Sequence, residues 1–117
     1  MNVHENISYV ESPARAIEAA KRIIAAVFSW SFVDYGPDYS VSSNEGIDGG
    51  FIKSDLSSSS ENGAALIVFY SNDLDKIKSK IENAGDSIIK PIFSFPVGHR
   101  FHFDDPNRSE YAVWSYK

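Results

Sequence analysis

The sequence contains no cysteine, which excludes disulfide bonds and thiolate chemistry. It has no apolar run near the roughly 20 residues that a membrane span needs. Its N-terminus, MNVHENISY, lacks the basic start and apolar core of a signal peptide. Basic residues are also scarce, since 11 Lys and Arg face 16 Asp and Glu, for a formal net charge of −5. Because nucleic-acid binding depends on clustered Lys and Arg, we expect no nucleic-acid partner. The missing membrane span and signal peptide, with the absence of cysteine, lead us to expect a cytoplasmic protein without a membrane partner.

The composition is that of an ordinary globular domain. The chain has 117 residues, of which 43% are hydrophobic and 23% charged. This length suits one domain with a real hydrophobic core.

The first half of the chain reads as strand, helix and three strands. Residues 6–11 alternate in polarity and predict a strand, after which Ser12 and Pro13 predict a helix N-cap and a first helical position, with the helix running over 14–27. Three short strands follow, predicted over 29–35, 39–43 and 47–53. The last contains Gly49-Gly50, which indicates a bulge or a close backbone approach.

The second half repeats this order after a polar segment. Residues 54–63, SDLSSSSENG, predict a mobile linker. A strand over 64–70 precedes a helix that Asn72 is expected to cap and Gly85 to end. The remaining strands are predicted over 87–95, 100–104 and 109–116.

Corresponding apolar positions in the two halves are 57 residues apart, as in the pairs Tyr9 with Leu66 and Ile17 with Leu74. A pattern repeat on both sides of a polar linker favours a duplicated βαβββ module. We therefore predict an α+β domain spanning 1–117, with one module at about 5–54, a linker at 55–63 and a second module at about 64–117. A ferredoxin-like duplication is the alternative.

Three stretches carry a resemblance to a known family. The end of the chain, FPVGHRFHFDDPNRSEYAVWS, is similar to the pattern FPgGrRFhFrDPdGNelavws found in a subgroup of the glyoxalase/bleomycin-resistance/dioxygenase family, the vicinal oxygen chelate superfamily. SPARAIEAAKRIIAAVFSW resembles the family's paDiekaikFYeevFgW, and SNDLDKIKSKIENAG resembles vdDldaalakieeaG of the second module. One departure is Arg108-Ser109 in place of the usual Gly-Asn, which we interpret as a changed turn type.

The resemblance implies two βαβββ modules that form a half-open mixed barrel around a cavity. It also implies positions for the metal ligands of the family's enzymes, which fall here on Tyr9, Leu66 and Ala112, while a fourth lies within 51–55 and cannot be assigned. Tyrosine is a poor ligand for divalent metals, and leucine and alanine have no donor atom. We therefore expect a subgroup without metal ligands and without any other cofactor.

Strand alternation from these positions predicts which side chains line the cavity. The predicted ligand-binding residues are Tyr9, Glu11, Leu66, Val68, Tyr70, Arg100, His102, Glu110 and Trp114. Phe101 and Phe103 should instead pack under the helices. Arg100 is expected either to pair with Glu11 across the barrel or to bind an anionic ligand.

Three functions are compatible with this pattern. We favour a metal-free protein that binds a small organic molecule. The second is a lyase- or isomerase-type enzyme acting on a small carbonyl or carboxylate compound, in which Arg100 holds the anion and His102 or Glu11 moves a proton. The third is a dimeric structural module without a ligand. Family members of this length usually pair, so the resemblance implies a homodimer in each case.

Overall fold

The computed structural model describes residues 3–43 and 46–117. Within these residues it contains eight strands and two helices. In chain order they are β1 Tyr9–Ala14, α1 Ile17–Phe28, β2 Ser31–Asp34, β3 Tyr39–Ser43, β4 Asp48–Lys53, β5 Ile67–Tyr70, α2 Leu74–Asn83, β6 Ser87–Phe95, β7 Gly98–Asp104 and β8 Glu110–Ser115. Neither helix is long and apolar enough to span a membrane.

The strands form two separate sheets with the same internal order. The first sheet is β1-β4-β3-β2 and the second is β5-β8-β7-β6. In each sheet the first and last strands of the module pair in parallel, and the other pairs are antiparallel. The helices begin at Ile17 and Leu74, which are 57 residues apart, as the repeat predicts. The α+β fold of two βαβββ modules is thus confirmed, and the sheets remain open at their edges.

The start of the first helix differs from the prediction. Ser12 and Pro13 belong to β1, which continues to Ala14, so Ser12 does not cap α1. The cap position is Ala16, and its backbone N–H donates instead to Oδ1 of Asn107 at 2.8 Å, while Asn107 Nδ2 donates to the Ala16 carbonyl at 3.0 Å. The N-terminus of α1 is therefore held by a side chain 91 positions away.

The second helix lies almost where the sequence predicts. Its N-cap is Asp73, whose side chain accepts a hydrogen bond from the Lys76 amide at 3.1 Å, and not Asn72, whose Oδ1 accepts from the Tyr70 hydroxyl. Gly85 follows the C-cap with a φ of +92°, which confirms its helix-ending role.

Both helices pack on the inner faces of the sheets and against each other. One apolar cluster includes residues of α1, of α2, of the first sheet and of the second sheet. The ring of Phe28, at the end of α1, stacks on Phe69 of β5 at 4.0 Å and lies 6.4 Å from Phe103 of β7. Each sheet thus has an inner face toward the helices and an outer face directed away from the other sheet. The buried members of the cluster are Ala14, Ile17, Ala20, Ile23, Ile24, Val27, Phe51, Leu74, Ile81, Phe101, Phe103, Tyr111 and Val113.

Gly49 and Gly50 mark a close backbone approach, one of the two predicted options. A Cβ at Gly49 would lie 2.6 Å from the Val10 carbonyl oxygen, and one at Gly50 would lie 2.6 Å from the Ser40 carbonyl oxygen. Since β4 is the strand between β1 and β3, only glycine permits this spacing.

The turn between β7 and β8 corrects one expectation. Arg108 adopts a φ of +63°, the left-handed region that glycine favours, so the exchange of Gly for Arg leaves the glycine-type backbone in place. Asp105 Oδ1 accepts from the amides of Asn107 at 2.9 Å and Ser109 at 3.0 Å and thereby holds the turn.

The predicted mobile linker is attached to the second sheet. It has no helix or strand, as expected, but the Glu110 amide donates to the Ser58 carbonyl at 2.7 Å. The Ser60 amide donates to Glu110 Oε1 at 2.9 Å, and the Ser58 amide donates to Ser109 Oγ at 3.2 Å. These bonds hold residues 58–60 against the start of β8.

Candidate ligand-binding site

Consecutive residues of β7 point to opposite sides of the second sheet. Phe101 and Phe103 lie on the inner face and are fully buried in the core, as the alternation predicts. Arg100 and His102 lie on the outer face, opposite Trp114 and Ala112 of β8. On the other side of β7, Phe93 of β6 is paired with Arg100.

Arg100 has a positive charge without a counter-ion. Its side chain is half-buried, and the guanidinium carbon lies 5.3 Å from the ring centre of Phe93 and 4.9 Å from that of Phe95. Nε is buried and has no hydrogen-bond partner, and no acidic side chain of the described residues pairs with the guanidinium. Two aromatic rings therefore orient a planar cation whose hydrogen-bond donors are available to a ligand.

His102 is held by a carboxylate. Its side chain is 4% exposed, and Nδ1 lies 2.7 Å from Glu110 Oε2. In the tautomer whose Nδ1–H donates to Glu110, Nε2 carries a free lone pair. Nε2 is buried and has no partner in the described part of the chain.

Glu110 is charged in this arrangement. Burial raises the pKa of its carboxyl, but the hydrogen bonds from His102 and from the Ser60 amide together lower the pKa below its usual value. The linker, Glu110 and His102 thus form one hydrogen-bonded chain.

Aromatic rings surround these polar groups. Trp114 makes edge contacts with Tyr70 at 5.1 Å, Tyr116 at 4.7 Å and Phe95 at 6.1 Å. We call this surface the Arg100 face, which consists of Tyr70, Phe93, Phe95, Arg100, His102, Glu110 and Trp114. Phe93 and Phe95 were not among the predicted site residues, because their contact with Arg100 depends on the irregular register of β6 with β7.

The first sheet has its own polar group on its outer face. The hydroxyls of Tyr9 and Tyr39 are hydrogen-bonded to each other, and Glu11 lies beside Tyr39. The bond with Tyr9 raises the pKa of Tyr39, with smaller contributions from burial and from Glu11. Tyr9 is 38% exposed and Glu11 is exposed, so this group is open to solvent in the single chain.

Within one chain the two predicted halves of the cavity do not meet. No hydrogen bond, ion pair or ring contact of the described residues joins Tyr9 or Glu11 to Arg100 or His102. The physical reason is that the helices pack on the inner faces of the sheets, so the outer faces point apart. The expectation that Glu11 faces Arg100 across a barrel is therefore wrong for the isolated chain.

The other predicted residues line a different space. Leu66 and Val68 contact a cleft of about 390 Å³ where the two modules meet, which we call the junction cleft. Its walls also include Val10, Ser12, Ile24, Trp30, Ser42, Phe51, Phe69 and Tyr111. Sequence alternation could not reveal this cleft, because it depends on how the inner faces of two sheets pack around α1.

The residues present do not fit the family's metal centre. Leu66 is half-buried at the junction cleft and Ala112 is fully buried on β8, and neither has a donor atom. Tyr9 donates to or accepts from Tyr39. No group of three or more His, Asp or Glu side chains in 3–43 and 46–117 is arranged to hold a metal ion.

Comparisons with known proteins agree on the fold. The model of the "Glyoxalase/Bleomycin resistance protein/Dioxygenase superfamily" matches residues 6–113. A sequence search of the curated proteins finds no match. Among solved structures, a glyoxalase/bleomycin resistance protein/dioxygenase family enzyme from Burkholderia phytofirmans PsJN has a TM-score of 0.80 at 18% identity, covering 96% of this chain and 99% of its own.

Two fosfomycin resistance proteins are similar in the same way. The protein from Mesorhizobium loti has a TM-score of 0.77 at 19% identity, with 97% of this chain and 93% of its own covered. A variant of the protein from Listeria monocytogenes, in complex with Mn(II) and 1S,2S-dihydroxypropylphosphonic acid, has a TM-score of 0.78 at 14% identity, with 96% and 90% covered. At these identities the likeness shows the fold alone.

Proposed function

Because the chain belongs to the glyoxalase/bleomycin resistance protein/dioxygenase superfamily, we propose that it binds a small organic anion on the Arg100 face, without a metal ion. The observation that carries this proposal is the half-buried, unpaired guanidinium of Arg100 between two aromatic rings. A guanidinium removed from water without a counter-charge is costly, and a carboxylate or similar planar anion would offset that cost through paired hydrogen bonds.

The rest of the Arg100 face suits such a ligand. Trp114 and Phe95 offer apolar walls for the body of an organic acid, and His102 Nε2 offers one further hydrogen-bonding atom. The Listeria monocytogenes relative binds an organic phosphonic acid on the same fold, although it does so with Mn(II). In a homodimer the Tyr9 and Glu11 side of the partner's first sheet would close the cavity over Arg100.

The proposal is tested with an aromatic carboxylate as the probe. Isothermal titration with 4-nitrobenzoate should show saturable binding, and Arg100→Ala should weaken it by about 10- to 100-fold, equivalent to the roughly 1.5–3 kcal/mol of a charged hydrogen bond. Arg22→Ala removes the same charge from the exposed surface of α1 and should leave binding unchanged. Absence of binding across a panel of carboxylates and phosphonates would favour the third function, a dimeric module without a ligand.

A second candidate function is supported by the His102–Glu110 pair. A buried imidazole whose Nδ1 is held by a carboxylate presents Nε2 as a general base, and Arg100 would hold the anionic end of the substrate. The reaction class would be proton abstraction next to a carbonyl. We expect the protein in D₂O to accelerate deuterium exchange at C3 of 2-oxobutanoate, and His102→Gln to remove the acceleration. Exchange at the uncatalysed rate with the wild-type protein would exclude this candidate.

The metal-free state is a separate prediction. Leu66 and Ala112 cannot ligate, so protein purified without chelator should contain well under one divalent ion per chain by elemental analysis. A full equivalent of zinc, nickel, iron or manganese would contradict it.

A further inference from the structure

We propose that the junction cleft is a second binding site, which takes an uncharged, largely apolar aromatic molecule with one hydrogen-bonding group. This site lies on the inner faces of the sheets, whereas the Arg100 face is an outer face. The inference does not depend on the proposed function.

The cleft has the size and walls of a small-molecule site. Its volume of about 390 Å³ falls within the roughly 300–1,000 Å³ of typical ligand pockets. Aromatic side chains from three strands and the α1–β2 connection line it, namely Phe51, Phe69, Tyr111 and Trp30. Gly49 also lines it, so the wall formed by β4 is backbone at this point. A flat ring system would replace water against these surfaces.

One hydroxyl in the cleft is available to a ligand. Ser42 lines the cleft and makes no side-chain hydrogen bond within the described residues, and its Oγ is not fully buried. Its register partner is Gly49, where an added Cβ would lie 3.6 Å from Ser42 Oγ. Because Gly49 has no side chain, no Cβ lies against the hydroxyl at this point of β4. A ligand carbonyl or hydroxyl could therefore form a hydrogen bond with it.

Charge separates this site from the Arg100 face. Among the described residues no Lys, Arg or His lines the cleft, and the charged residue that does is Asp48, which is exposed at its edge. A carboxylate ligand would lose its hydration without gaining a counter-charge, and Asp48 would repel it. The cleft therefore selects neutral molecules.

The chain contains two tryptophans, and each reports on one site. Trp30 lines the junction cleft and makes an edge contact with Phe69 at 5.4 Å. Trp114 belongs to the Arg100 face and lies 6.1 Å from Phe95. In a ¹⁵N-labelled protein the two indole N–H signals are resolved by NMR, and Trp30→Phe and Trp114→Phe assign them.

The experiment compares two probes of one shape and different charge. 4-Nitroacetophenone is neutral and has a carbonyl for Ser42, whereas 4-nitrobenzoate is an anion. We expect the neutral probe to shift the Trp30 signal saturably and the anion to leave that signal in place. The anion's effect on the Trp114 signal tests the proposed function separately, so failure of either idea can be recognised without the other.

Three variants test whether the neutral probe binds in the junction cleft. Ser42→Ala should weaken the neutral probe several-fold, and Val10→Phe, which adds a ring to the cleft wall, should abolish the Trp30 shift. Val97→Phe makes the same exchange at an exposed turn position that does not line the cleft, and should change nothing. The inference is overturned if no saturable Trp30 shift occurs, if the anion produces an equal one, or if Ser42→Ala, a folded protein by its spectrum, binds as tightly as wild type.

Discussion

Arg100 and Phe101 are neighbours in sequence with opposite surroundings. A side-chain period of two predicts that they lie on opposite faces of β7, and the family resemblance implied which of the two lies under the helices. The contacts that Arg100 and His102 make with other side chains could not be predicted in this way. The pairing of His102 with Glu110 depends on the register of β7 with β8, and the separation of Glu11 from Arg100 depends on the packing of two sheets. Alternation contains neither kind of information.

Phe101 should contribute strongly to the free energy of unfolding, whereas Arg100 should contribute little. Phe101→Ala removes a fully buried ring from the core and should lower the free energy of unfolding by about 3–5 kcal/mol. Arg100→Ala removes a half-buried side chain without an ion pair and should cost less than about 1 kcal/mol. Urea unfolding followed by tryptophan fluorescence measures both, and equal losses would contradict the assignment of the two faces.

Asp86 should make stability depend on pH. Burial, with repulsion from Asp105 and Asp104 only partly offset by Arg22, raises the pKa of Asp86 to about 6. A carboxyl with a raised folded pKa binds its proton more tightly in the folded state, so it destabilises the protein above about pH 6. This penalty fades as the pH falls from about 6 toward the ordinary value of 3.8.

Asp86→Asn should therefore stabilise the protein by about 1 kcal/mol at pH 7.5, a figure reduced for solvent screening of a half-buried group, and by little at pH 4. Asp38→Asn, at an exposed position of the β2–β3 turn, is the control and should show no such pH dependence. The measurement is urea unfolding at both pH values. A gain at pH 4 as large as at pH 7.5 would show that Asp86 is not the titrating group.

At the scale of elements, local signals were reliable where the chain itself supplies the capping group. Asp73 and Gly85 mark the two ends of α2 and interact with residues only a few positions away. The predicted N-cap, Asn72, was one position too early. The start of α1 was missed because its cap is the distant side chain of Asn107. The same holds for the attachment of the linker. Its serines also make local hydrogen bonds, as between Asn62 and Ser57, but the bonds that hold it to the second sheet join Ser58 and Ser60 to the distant Glu110.

One residue of the β7–β8 turn has an unfavourable backbone conformation, and a substitution can test its cost. Arg108 holds a φ of +63°, which costs an L-residue with a side chain roughly 1 kcal/mol relative to glycine. Arg108→Gly should therefore raise the free energy of unfolding by about 0.5–1 kcal/mol, although the change loses the favourable charge beside Asp104. Arg108→Lys keeps the charge and should gain nothing. A clear loss of stability in the glycine variant would mean that the side chain matters more than the backbone.

At the scale of the molecule, the repeated module was predictable and the placement of its faces was not. The 57-residue offset and the order of strands and helices along the chain follow from the apolar pattern. Which faces share a cavity depends on where the helices pack, and here they pack on the inner faces of the sheets. The outer faces consequently retain large apolar side chains in solvent. Examples on the strands with at least 40% exposure are Val33, Ile52 and Tyr70.

These outer faces lead to a prediction about assembly. Exposed large apolar side chains on the outer faces of both sheets indicate an interaction surface, and a two-fold pair would cover the first sheet of one chain with the second sheet of its partner. Light scattering at micromolar concentration should give the mass of two 13.0 kDa chains.

Ile52→Glu, on the outer face of β4, should shift the protein toward monomer. It should also weaken the binding of 4-nitrobenzoate, because the partner chain would no longer cover the cavity over Arg100. Val3→Glu, at a position 60% exposed before β1, is the matched control and should stay dimeric. A wild-type protein that is strictly monomeric at this concentration would refute the pairing and leave the Arg100 face open to solvent.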